Sequence, residues 1–424
     1  LLSDAIGFLT LLFIDVGVIQ ELAIAASVGV AMIIVTNLVL LPVIMSYIGI
    51  SQPGIDHAYK ASQSKAPVWR GLSAFASRKV APFPIAIAIA MGIGGYYYSQ
   101  DLKIGDLDKG APELRADSRY NKDNAFMVGN YSTSSDVFVV MVETAPERCN
   151  AYKVMDAMDR FMWYMENVPG VQSATSLVTV SKLVTKSMNE GNLNWSALSR
   201  NQTVLNTSIQ RAPGALLNSD CSMAPVIIYL NDHKAETLET VVAAVENFKD
   251  SYDDDVDMKF YGYRYNELEQ AIEDGEIDSV PVRFQLASGN AGIEAATNQV
   301  IADAQGTMLI FVYVVVFVLC FITFRSLRAV ACILIPLALT SILSQALMTY
   351  LDIGVKVATL PVIALGVGIG VDYGIYIYNR LEVMILAGKS MQEAFFETLR
   401  STGKAVSFTG VSYTHLTLPT IREV

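Results

Sequence analysis

The sequence predicts a polytopic α-helical membrane protein carrying one separate α+β domain. Three observations carry that expectation: long apolar stretches without charge, a polar block of about 200 residues between two of them, and an uneven distribution of basic residues among the short loops. Of the 424 residues 52% are apolar and 17% charged, and the mean hydropathy is +0.39. This is more apolar than an ordinary soluble domain, and the chain is too long for a single core.

A helix of about 20 residues crosses roughly 30 Å of hydrocarbon. Four charge-free stretches meet that length: Leu22 to Ile55, Val80 to Gln100, Ala304 to Phe324 and Ala329 to Leu351. A fifth, Val357 to Asn379, contains the single charge Asp372, and a partial sixth runs from Ala5 to Ile14. Leu1-Leu2-Ser3-Asp4 offers neither an initiator Met nor the basic start of a signal peptide, so the parent protein is expected to begin further upstream.

Basic residues are retained on the cytoplasmic side of short loops. Lys60, Lys65, Arg70, Arg78 and Lys79 precede the Val80 span, Arg325 and Arg328 follow the Ala304 span, and Arg380, Lys389, Arg400 and Lys404 follow Asn379. If each span crosses once, all three groups share one side. The block from Asp101 to Asp303, with 17 Lys/Arg against 31 Asp/Glu, then lies on the other. Its acidity disfavours nucleic acid as a partner. The stretches Val68 to Lys79 and Ser390 to Leu399 are expected as amphipathic helices on the inner leaflet, where their flanking basic residues meet anionic lipid.

Within the exterior block, β-rich runs alternate with amphipathic helices. Strands are expected at Asp136 to Val142, Val226 to Leu230 and Met258 to Tyr261. Helices are expected at Cys149 to Val168 and, with Thr237 as N-cap, from there to about Tyr252. The order suggests split β-α-β units. Met155, Met158, Phe161 and Met162 form a stripe that suits a core better than a lipid tunnel. Cys149 and Cys221 stand in a compartment that permits a disulfide, and the sequence leaves a bridge and two buried thiols equally open. The run Asp253 to Asp257 lacks the spacing and Gly of a calcium loop and reads as a solvated turn. His57, His233 and His415 provide no metal-ligand spacing, and no cofactor or metal is expected. No Walker-type loop occurs, which points to an ion gradient rather than ATP as energy source.

The Asp372 span is the most informative segment. A carboxylate at mid-span costs at least about 2.5 to 3.5 kcal/mol, so it belongs against protein or a water-filled cavity. Gly368, Asp372 and Tyr376 share one helical face, while Gly366, Gly370 and Gly374 form a small-residue row roughly 160° away. Such rows admit close backbone approach, placing this helix centrally with neighbours on both sides. Two roles follow for Asp372: a proton carrier, or a structural group hydrogen-bonded to Thr340, Ser341, Ser344 or Gln345 on the neighbouring span.

Gly368-Ile369-Gly370-Val371-Asp372-Tyr373 resembles the GxGVDY motif of the MMPL-type branch of the resistance-nodulation-division (RND) superfamily. Phe8 to Tyr47, with Glu21-Leu22 and Leu40-Leu41-Pro42, is similar to the fifth and sixth spans of that family. Ile104 to Asp108, Gly110 to Arg115 and Phe324-Arg325-Ser326 extend the resemblance over almost the whole chain. The resemblance implies spans five and six over 1–48, a cytoplasmic linker over 49–79, span seven over 80–100 and a porter-like periplasmic domain over 101–303. Spans eight to ten then occupy 304–379, a cytoplasmic segment 380–403 and the start of span eleven 404–411.

It further implies proton-driven export of hydrophobic or lipid-like molecules through a bacterial inner membrane. Asp372 and Tyr373 would form the proton relay, packed by Gly366, Gly368, Gly370 and Gly374. In the family this pair faces an equivalent pair on span four, which lies outside this chain, so the chain alone is expected to be inactive. Partners implied are membrane lipids, protons and a hydrophobic substrate, with a homo-oligomer as one candidate assembly.

Residues 412–424 depart from the family pattern, because Pro419, Arg422 and Glu423 deny a full span, and are expected to be a non-native junction. Tyr96, Tyr97 and Tyr98 suit an interfacial aromatic belt. Two other functions compete with export. A sterol-sensing-like lipid receptor would not need the Asp-Tyr pair. An intramembrane aspartyl protease would carry Asp directly after Gly, whereas Val371 intervenes here, and its second carboxylate would have to be Asp15.

Overall fold

In hydrocarbon every backbone N–H and C=O must find a partner within its own segment, so charge-free stretches fold as continuous helices. The computed structural model describes residues 2–49, 51–53, 67–112, 114–252 and 282–417. It divides into two units, residues 1–103 with 300–424, and residues 104–299.

The helical unit begins with α1 (Leu2–Leu9), a 3-10 turn (Thr10–Phe13) and α2 (Gly17–Ile48). A π-helical turn at Thr36–Leu40 interrupts α2 just ahead of Pro42, which has no N–H to give to the preceding turn. The buried residues of α2 are Ile19, Ala23 and Ser27, and Ser27 Oγ donates to the Ala5 carbonyl at 2.9 Å. Much of the remaining apolar surface of α2 is exposed, as lipid contact requires. The short α3 (Pro67–Ser73) precedes α4 (Pro82–Ser99), whose first turn takes Pro82 without loss of a hydrogen bond.

The second unit holds α5 (Arg119–Asn130), β1 (Val137–Thr144), α6 (Tyr152–Glu166), β2 (Val171–Thr175), α7 (Leu177–Met188), α8 (Gln202–Ile209), β3 (Met223–Leu230), α9 (Ala235–Tyr252) and β4 (Val282–Ser288). Its sheet has the order β2-β3-β1-β4 with every neighbouring pair antiparallel. The connection β1-α6-β2 therefore straddles β3, and β3 to β4 by way of α9 straddles β1, giving two interlocked split β-α-β units. Burial alternates along β1, with Phe138, Val140 and Val142 facing the core. Against that face pack Met155, Met158, Phe161 and Met162 of α6 and Leu238, Val241 and Val245 of α9, so the Met-rich stripe is core. Cys149 and Cys221 are joined by a disulfide with Cα atoms 5.1 Å apart.

The chain then returns through α10 (Asn290–Phe324), α11 (Leu327–Tyr350), α12 (Leu360–Leu386), α13 (Met391–Thr398) and α14 (Lys404–Thr417). Ser326 opens α11 by accepting from the Ala329 amide. α11 is flanked on two sides. Added Cβ atoms at Gly92 and Gly95 of α4 would stand 3.2 Å from Leu339 and 3.0 Å from Leu343. Val312, Val316 and Cys320 of α10 pack with Ile333 and Leu337 of α11 and Val367 and Val371 of α12.

Several boundaries differ from the sequence expectation. α2 starts at Gly17 rather than Leu22, taking the exposed Glu21 into its second turn. α10 begins at Asn290, so the expected span is the later part of a 35-residue helix. α12 continues past Arg380, and α14 extends to Thr417. Thr237 is not the N-cap of α9: it lies within the helix and donates to Asp232 Oδ1 at 2.5 Å. The expected α3 and α13 helices pack on each other, with Arg70 over the Phe396 ring at 5.7 Å and Ser73, Ala394 and Thr398 buried. Met258 to Tyr261, Asp253 to Asp257 and His57 lie outside the described residues.

Candidate functional site

The two small-residue faces of α12 serve two different helices. On one face, a Cβ added at Gly370 would sit 2.6 Å from Leu337 Cδ1, and one at Gly374 would sit 2.9 Å from Ile333 Cγ2, both on α11. On the other face, a Cβ at Gly368 would fall 2.5 Å from Asp4 Oδ1 and 3.3 Å from Asp4 Cα. Glycine is what lets α1 come this close. Gly366 has open space where a Cβ would point.

This approach brings a polar cluster together inside apolar helices. Ser3 Oγ donates a hydrogen bond to Asp372 Oδ1, and the Asp4 and Asp372 carboxyl groups interact directly. Ser3 and Asp4 are both buried, while Asp372 and Tyr373 are half-buried. Tyr376, one turn beyond Asp372, is 49% exposed. Thr340 and Ser341, weighed as structural partners of Asp372, have other engagements: Thr340 donates to the Pro336 carbonyl at 2.9 Å, and Ser341 shares a 2.7 Å hydrogen bond with Tyr313. Asp15 is exposed in the break between α1 and α2.

The sequence singled out Asp372 and Tyr373, while Ser3 and Asp4, which the fold brings to Asp372 and Gly368, lay outside the partial span beginning at Ala5. The signal was present as an acidic residue and a hydroxyl within one turn of an apolar helix. Assigning them to Asp372 needed the α1 to α12 contact, which no spacing rule provides.

Among the described residues three helices are long and apolar enough to cross a membrane, Gly17–Ile48, Asn290–Phe324 and Leu327–Tyr350, and together with a buried polar cluster at a helix crossing they define a multi-pass membrane protein. The model of the MMPL family matches residues 4–84 and 262–415, more than half of the chain. The chain belongs to the MMPL family, whose members are RND-type transporters. Asp4, Asp372 and Tyr373 fall within the matched segments, and the match runs beyond Ser412. No curated protein matches the chain.

Proposed function

We propose that this chain is part of a proton-driven exporter of hydrophobic or lipid-like molecules, and that Asp372, with Asp4 and Tyr373, carries the coupling proton. The observation that carries this reading is the meeting of two carboxyl groups, Asp4 and Asp372, at a helix crossing closed by Gly368. Two carboxylates in one apolar crossing repel when both are ionised and hydrogen-bond when they share a proton. Protonation therefore favours the close packing of α1 on α12, and deprotonation favours their separation. A helix crossing with two packings set by one proton is the element that alternating access needs.

The Lys and Arg distribution supports placing the 101–303 block in the periplasm of a bacterial inner membrane. Its interlocked β-α-β units support a porter-like role.

The test is movement of a fluorescent lipid analogue by the intact parent transporter in proteoliposomes, with and without an imposed pH gradient. Export requires gradient-dependent movement. Binding without gradient-dependent movement refutes export and supports the sterol-sensing-like receptor.

A further inference from the structure

Outside the helical site, the second unit gathers four titratable side chains from four separate segments. One ligand atom from each of Asp106, His233 and Glu294 lies within 4.8 Å of the others. Behind them, Asp136 Oδ1 is 2.9 Å from His233 Nδ1, with Asp136 5% and His233 10% exposed at the side chain.

Each group is held by its own backbone. The Asp106 carbonyl accepts from the Ala235 amide at 2.8 Å, two residues beyond His233. Gly105 has φ +118°, and a side chain there would run into Asn298 and, at 3.1 Å, Ala235. Asn298 is one turn from Glu294 on α10, so the glycine seats Asp106 along the helix face that bears Glu294. Asp136 is anchored at the start of β1 by its carbonyl, which accepts from the Leu230 amide at 2.9 Å, and by its amide, which donates to Ser134 Oγ at 3.1 Å.

We propose that Asp106, His233 and Glu294 form a binding site for a transition-metal dication of the Zn2+ class, with Asp136 as the positioning residue for the imidazole. An Nδ1–H donated to Asp136 fixes the tautomer whose Nε2 lone pair is free to bind metal, the carboxylate-histidine-metal arrangement. Asp136 Oδ2 is buried and accepts no hydrogen bond among the described residues. One imidazole and two carboxylates suit Zn2+ or Co2+ better than the all-oxygen preference of Mg2+ and Ca2+. Bonds of roughly 2.0 to 2.2 Å place ligand atoms about 3.4 Å apart, so closure asks for side-chain movement of an ångström or so. The same field acts on a proton in the metal-free protein: the Asp136 hydrogen bond and the Glu294 and Asp106 charges raise the His233 pKa against the lowering effect of burial. A dication would fasten the segment around Asp106, the β3 to α9 loop and the head of α10 to one another.

The experiment uses the full chain, untagged in detergent, stripped with chelator and dialysed against Zn2+, with metal content measured by mass spectrometry and Co2+ as an optical probe. One Zn2+ per chain is expected for the wild type and for His57→Ala, and none for His233→Ala or Glu294→Gln. Zn2+ should raise the melting temperature by roughly 5 °C in the wild type and His57→Ala, and leave that of His233→Ala and Glu294→Gln unchanged. Asp136→Asn should keep the stoichiometry but weaken binding about 10- to 100-fold. Should a variant fail to fold, the Co2+ spectrum of the wild type still decides, since imidazole and carboxylate ligation gives visible bands that free Co2+ lacks. Zn2+ retained equally by His233→Ala and Glu294→Gln, or no binding by the wild type, overturns the site.

Discussion

Ser3 at the head of α1 donates a hydrogen bond to Asp372 in the middle of α12, across 369 residues of sequence. A serine side chain is short, so this bond exists only because the two helix backbones nearly touch. Gly368 provides that approach, one turn before Asp372 on the same face. The contact ties the beginning of the chain to the GxGVDY motif and makes the polar cluster a property of two helices rather than of one.

Gly368 and Gly366 should respond differently to alanine. At Gly368 the new methyl group meets the Asp4 backbone and carboxyl, forcing α1 away at a cost of about 1 to 3 kcal/mol. At Gly366 it meets open space, with an effect within about 0.5 kcal/mol. Thermal unfolding in detergent distinguishes the two, and equal melting temperatures would show that the crossing is loose.

The stripe on α6 is expected to behave as core. Phe161 is buried between Phe248 and Phe284, with ring centroids 5.0 and 4.9 Å away. Phe161→Ala should cost about 3 to 5 kcal/mol. Trp163, two residues on and 69% exposed, should tolerate alanine within about 1 kcal/mol. Denaturant unfolding followed by near-ultraviolet circular dichroism reads both, and a mild Phe161→Ala would return the stripe to the tunnel reading.

The Cys149–Cys221 bridge closes a loop with a sequence separation of 72 residues, so the chain-entropy relation gives it about 4 kcal/mol. The double variant Cys149→Ser with Cys221→Ser should lose about that much, and reductant should lower the wild-type melting point without affecting the variant. An unchanged melt with reductant would argue that the bridge contributes nothing.

Much of this organisation was legible because membrane helices and split β-α-β units obey local rules. Charge-free length marked α2, α4, α10 and α11, and alternation marked β1. The Asp372 site was half legible. The cost of a mid-span carboxylate singles out Asp372 from sequence, but Asp4 stands at the edge of its apolar stretch and looks like an ordinary flank. Thr237 misled because a threonine before a helical pattern has the composition of a cap, while the helix had already begun at Ala235 and the hydroxyl was taken by Asp232. His233 gave no metal signal because its neighbours Asp106 and Glu294 come from distant segments, which ligand-spacing rules do not join.

Proton movement through the Asp4 and Asp372 crossing is the claim on which the functional account stands. The direct measurement is proton flux driven by an imposed pH gradient in proteoliposomes holding the intact parent transporter, compared between wild type, Asp372→Asn and Asp4→Asn at matched, correctly folded protein. Proton carriage by this crossing requires that Asp372→Asn abolish the flux and that Asp4→Asn reduce it. Wild-type flux in Asp372→Asn would contradict it and leave Asp372 a structural group that holds α1 against α12.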